Sequence, residues 1–233
     1  LFPYTTLFRS YLDVYHRHGL LNERAVLAHG IWLDDTDRRV LADTGAQIAH
    51  SPSSNLFLGS GLFDWQAMAA AGAEVSLASD VGGGTSLSMI RTMADAYRVQ
   101  ALRGVRWSAF KALHAATRGA AQALELDDEI GSLEPGRAAD LTVWDWAVGN
   151  VATPRDALAR DLHERLFAWM ILGDERNLVT TLVAGRTQYT RWGDSDGGAA
   201  GPPQSGAPRG PTPQASGGHE FGDDAWLRRR GLS

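Results

Sequence analysis

The sequence contains no cysteine, which excludes a disulfide framework, a thiolate nucleophile and any cysteine-bound metal. Lysine is almost absent too: Lys111 stands alone among 22 basic residues. We read that bias as genomic composition rather than arginine chemistry. No apolar run approaches the roughly 18 residues of a membrane helix. The net charge of −5 and pI near 5.8 leave no basic stripe, so neither nucleic acid nor an anionic membrane surface is an expected partner. The first residues lack a basic segment followed by a long apolar one, so no secretion signal is expected. The chain reads as soluble and cytoplasmic.

What is present is 233 residues at 44% hydrophobic content, enough for one good core or two small ones. Both ends look foreign to the body. Residues 1–10, LFPYTTLFRS, share no period with the sequence after them and read as a non-native leader that packs on nothing. Residues 193–233 hold 10 of the 26 glycines and 5 of the 9 prolines, too little apolar content to offset the entropy of ordering; a disordered tail is expected. The globular sequence is then 11–192.

Within it, Val75 to Met89 reads VSLASDVGGGTSLSM, an apolar run, an aspartate, three glycines and a Thr-Ser pair. Strand, tight loop and helix start are expected, with Asp80 closing the strand at the edge where parallel α/β sheets build their sites. A turn-capping aspartate is the plainer alternative. A phosphate loop fails on spacing, since Gly82, Gly83 and Gly84 do not fit G-x-G-x-x-G and no lysine follows.

Upstream, Tyr11–Leu21 has helical spacing. Ala25–His29 is a strand ending in histidine, Asp34 and Asp35 open a helix that Gly45 stops, and Gln47–His50 is a second strand ending in histidine. A turn-rich SPSSN, a loop over 56–61 and a helix over 64–71 come next. Three strands separated by helices therefore end in His29, His50 and Asp80. Such alternation predicts parallel βαβ units with the three side chains at one edge, and histidine with carboxylate is the ligand set of hydrolytic metals. A lone histidine at a strand end is more often structural; three coincident ends favour a site. His16 and His18 form a decoy, because residues two apart on a helix face opposite ways.

Downstream, 86–103 and 108–124 read as two helices, with Trp107 and His114 as packing residues. The stretch 130–146 reads as a Gly/Pro turn leading to a strand pair, 156–172 as an amphipathic helix with His163 on its charged face, and 178–189 as a hairpin turned at Ala184-Gly185-Arg186. A small β subdomain closes the body.

LAHG (27–30), AHSPSSNLFLGSGLF (49–63), SDVGGGTSLSMIRTM (79–93), IGSLEPGRAADLTVWD (130–145) and LGDERN (172–177) resemble the amidohydrolase superfamily and, within it, the guanine deaminases. The resemblance implies the C-terminal half of a (β/α)8 barrel of the TIM type over 11–128, and strands of a small β-sandwich over 129–192. It implies one zinc ion per subunit in the intact enzyme. Asp80 would be a metal ligand and proton acceptor, His29 a catalytic group beside it, and His50, Asn55 and Gly82 would lie behind them or near the substrate. Ser51 stands where cysteine is expected and Ser79 where threonine is usual. The zinc-deaminase design built on H-x-E and P-C-x-x-C is excluded for want of cysteine. The implied reaction turns guanine and water into xanthine and ammonia, in a homodimer. The family's H-x-H, a further histidine and glutamate, and its purine-gripping Arg-Phe have no match from Tyr11 onward, so this chain alone is expected to be inactive. A sister amidohydrolase acting on another aminopurine or a triazine, and a non-catalytic α/β binding module, are the alternatives.

Overall fold

The computed structural model describes residues 8–191, and the expected tail lies outside them, as do residues 1–7 of the expected leader. The chain is α/β, with a three-stranded parallel sheet followed by a three-stranded antiparallel one. Helix α1 (Tyr11–Arg17) is capped by Ser10, whose Oγ accepts from the Asp13 N–H at 3.1 Å. Arg9 pairs with Asp34 and with Asp37, both at 2.7 Å, and Ser10 Oγ donates to Asp37. These contacts correct the expectation of no packing for Arg9 and Ser10, because the Asp37 side chain is almost fully buried and needs a counter-charge there.

Strand β1 (Val26–Ala28) is followed by α2 (Asp35–Thr44), whose capping box joins Asp34 and Asp37, and by β2 (Gln47–His50). Helices α3 (Pro52–Phe57) and α4 (Trp65–Ala70) lead to β3 (Val75–Leu77). The sheet order is β1-β2-β3, all parallel, with Leu27 opposite Ile48 and Ile48 opposite Val75. Two expectations are corrected here. SPSSN is the start of a helix rather than a turn, because Pro52 at its first position has its φ preset for helix and gives up only an N–H that would be unpaired anyway. Strand β3 ends at Leu77, so Asp80 lies three residues beyond it in the loop.

Helix α5 (Met89–Leu102) packs against α3 and further helices downstream. The single helix expected over 108–124 breaks into α6 (Ala109–Ala116) and α7 (Arg118–Ala123) at Thr117, whose backbone leaves the helical region and whose Oγ1 donates back to the Leu113 carbonyl at 2.7 Å. Such back-bonding bends helices. Strand β4 (Leu141–Trp144) finds its partner across the chain rather than in a local pair. The helix expected over 156–172 is α8 (Gly149–Ala157) and α9 (Leu162–Leu172), with Asp161 capping the second. Strands β5 (Leu178–Val183) and β6 (Arg186–Thr190) form the expected hairpin, turned by Ala184 and Gly185 at φ +48° and +75°.

Leu41, Ile48, Phe63, Met68, Ile90 and Val99 are fully buried between sheet and helices. Trp107 packs edge-on against Trp65 at 4.6 Å, as expected of a packing residue, whereas His114 is exposed. Gln100 anchors α5 to the loop before α4 by donating to the Phe63 carbonyl at 3.1 Å. Trp169 of α9 meets Trp144 of β4 at 5.6 Å. His163 is exposed and tilted against Phe110. Among the described residues no helix is long and apolar enough to cross a membrane.

Candidate active site

The parallel sheet brings the ends of β1 and β3 to the same edge. His29 follows β1 directly, its N–H bonding the Ala49 carbonyl of β2 at 3.1 Å, while Ala78 after β3 bonds the His50 carbonyl at 2.9 Å. Each chain then turns sharply: His29 has φ +70° and Asp80 φ +49°. Such left-handed backbone costs roughly 1–2 kcal/mol outside glycine. The turn points the two side chains at each other, with His29 Nε2 at 3.8 Å from Asp80 Oδ2. Both are about two-fifths exposed, at 42% and 37%, so a solute can reach them.

The loop after Asp80 is shaped by glycines of two kinds. Gly82 takes φ +115° with open space about it, which lets the chain reverse. Gly83 and Gly84 are needed for room. A Cβ on Gly84 would overlap the Ser79 carbonyl oxygen and stand 2.9 Å from Ser53 Oγ; one on Gly83 would stand 2.9 Å from Ser54 Oγ and 3.1 Å from Asp80 Oδ2.

Of the other expected residues, Asn55 is buried with its Nδ2 at 3.1 Å from His29 Nδ1. His50 ends β2 but turns inward. It is 0% exposed, stacks on Phe63 at 4.4 Å, and neither ring nitrogen has a hydrogen-bond partner. Burial, helped by neighbouring His29, pushes its pKa down to about 3, so it is a neutral wall behind the site and not a group a substrate can touch. Ser53 and Ser54 were missed by sequence reasoning. Their signal lay in the unbroken Gly82-Gly83-Gly84, which marks a close approach by other atoms.

A catalytic zinc takes about three protein ligands. Among the described residues no group of three histidine, cysteine, aspartate or glutamate side chains is placed to hold a metal. His16 and His18 are exposed on and just after α1, away from any such group. With one carboxylate and one imidazole at the site, this chain does not by itself fit a metal ion. A shallow cleft among Trp65, Glu74, Val75, Lys111, His114 and Gln122 opens at the opposite, N-terminal edge of β3, away from His29 and Asp80.

Comparison with known proteins gives the arrangement its context. Residues 1–187 match the model of the amidohydrolase family. The chain is 41% identical over 186 residues to the guanine deaminase of Escherichia coli K12, covering 78% of this chain and 42% of that protein. It is similar to the solved structure of the E. coli guanine deaminase, with a TM-score of 0.78 over 81% of this chain and 44% of that one, and to that of the guanine deaminase from Bradyrhizobium japonicum, at 30% identity and a TM-score of 0.75 over 80% and 47%. The chain thus spans less than half the length of the curated relatives it matches.

Proposed function

Because the chain belongs to the amidohydrolase family, we propose that it carries the C-terminal part of a guanine deaminase, with Asp80 and His29 at the reaction centre. The observation that supports this most is their meeting: two residues far apart in sequence, each on a left-handed backbone, face one another at the sheet edge. In this reading β1, β2 and β3 are three consecutive strands of a (β/α)8 barrel within 11–128, and β4, β5 and β6 belong to a small sandwich within 129–192. A homodimer in the cytoplasm is the assembly that goes with it.

The reaction adds water across the amino-bearing ring carbon of guanine and expels ammonia, giving xanthine. Asp80, half open to solvent, takes a proton from the water that attacks and returns it to the departing amine; positioned proton transfer of this kind contributes roughly 10²–10⁴-fold. His29 offers a ring N–H to an oxygen held beside Asp80. Asn55 and the glycine loop hold these two in place, and buried His50 keeps water from behind. The family is generally metal-dependent; zinc would supply Lewis acidity, with Asp80 as the ligand from this chain and the remaining ligands from outside it. The relatives do not favour a triazine hydrolase or a non-catalytic module.

The test is a chimera in which residues 11–191 replace the matching segment of the E. coli enzyme, assayed for xanthine. Turnover is expected, falling roughly 10²–10⁴-fold in Asp80→Asn, while the chain alone gives none. A folded chimera that ignores guanine, or one indifferent to Asp80→Asn, would overturn the reading.

A further inference from the structure

We infer that Asn55 is a positioning residue that sets the tautomer of His29, holding the single proton of the neutral ring on Nε2 and aimed at Asp80. The use made of a ring so fixed rests on the deaminase reading; the geometry does not.

A neutral imidazole carries one N–H and one bare nitrogen, and which is which follows from its partners. Asn55 Nδ2 stands 3.1 Å from His29 Nδ1. An amide N–H can only donate, so Nδ1 must accept, and the proton is left to Nε2, 3.8 Å from the Asp80 carboxylate. The reversed amide is disfavoured twice over. Asn55 Oδ1 is buried without a hydrogen-bond partner, and turning the group would put two orphan donors where one orphan acceptor now sits, the rarer arrangement in folded proteins. It would also leave Nε2 bare, acceptor facing acceptor across the site.

Asn55 is itself held. It is 2% exposed at the fourth position of α3, its N–H bonds the Ser51 carbonyl at 3.0 Å, and its carbonyl receives the Ser60 N–H at 2.9 Å. In the same turn Ser53 Oγ donates to the Ser79 carbonyl at 3.3 Å, and Ser54 Oγ approaches the space over Gly83 that Asp80 Oδ2 also borders. One short buried turn therefore braces the end of β1 and the loop after β3 together. The functional consequence is a division of labour. A neutral His29 that carries its proton on Nε2 can donate there and cannot accept, so the base at this edge is Asp80.

The experiment reads the ring nitrogens of His29 by nitrogen-15 NMR on the full chain at mildly alkaline pH. The expected result is Nε2–H in roughly tenfold excess, the ratio a single well-placed hydrogen bond sets. Free histidine leans the same way, so two variants decide: Asn55→Asp, which keeps the shape and replaces the donor with an acceptor, should put a proton on Nδ1. Asn55→Ala, which removes the donor and adds no acceptor, should bring the ratio back toward that of free histidine, a change that a merely space-filling Asn55 would not produce. Wild-type His29 protonated on Nδ1, Asn55→Asp with Nδ1 still bare, or an unchanged ratio in Asn55→Ala overturns the inference. No turnover is measured, so an inactive chimera with the expected tautomer counts against the deaminase reading alone.

Discussion

Acidification from about pH 7 to about pH 5 should destabilise this chain by roughly 2 kcal/mol through His50. The ring is fully buried against Phe63 and Trp65 with both nitrogens unpartnered, and its pKa is pushed down from 6.5 to about 3, by burial first and by His29 second. The unfolded chain takes up the proton below its pKa of about 6.5, whereas the folded one refuses it until near 3. Stability from this residue is therefore complete above about pH 6.5 and drains away as the pH falls toward 3. Between about pH 7 and 5 the unfolded state gains most of one proton, which integrates to about 2 kcal/mol. Asp34, Asp156 and Asp174, whose carboxyls hydrogen bonds hold below 3.8, titrate beneath that window. Urea titrations at the two pH values check this. With a slope of about 2 kcal/mol per molar, the midpoint should drop by about 1 M, and the drop should largely vanish in His50→Leu. An unchanged wild-type midpoint, or an equal drop in the variant, would refute the reasoning.

Two further outcomes concern the loops. Gly84→Ala has no space for its methyl beside the Ser79 carbonyl and Ser53 Oγ, so it should lower stability by roughly 1–3 kcal/mol, seen in thermal unfolding, and should cut turnover of the chimera by displacing Asp80; unchanged values would contradict the packing. Ala184→Asn places Asn-Gly in a two-residue hairpin whose first position has φ +48°; it should stabilise by roughly 0.5–1 kcal/mol, raising the melting temperature, and a lower one would count against the turn geometry.

Much of the parallel sheet was legible because its punctuation is local. Gly30, Gly45 and Gly72 all adopt positive φ, and each sits where a short apolar run or helix has to end. The hairpin after Leu178 was readable for the same reason. Helix α3 was not: Pro-Ser-Ser-Asn has turn chemistry, and its helix is held by burial of Ser53, Ser54 and Asn55 rather than by propensity. The site divides similarly. Run-then-ligand spacing put His29 and Asp80 at one edge, but that spacing says nothing of the Asn55–His29 hydrogen bond, which joins residues 26 apart in sequence. The inward turn of His50 was hidden because its alternation along β2 matches that of a residue facing the site. Periodicity carries faces and ends; it does not carry which loop returns to lean on which.

The left-handed backbone at His29 and Asp80 also restricts how this edge can vary over evolutionary time. Histidine, aspartate and asparagine are among the few side chains enriched at positive φ, and two of these three also bind metals and move protons. A lineage drifting at either position passes two filters at once, conformational and chemical. Asp80→Glu would preserve the carboxylate but forfeit the tolerance for the turn, and Asp80→Gly would do the reverse. Few single replacements satisfy both, and Gly83 and Gly84 beside the pair, with no room for a Cβ, leave little scope for compensation next to it.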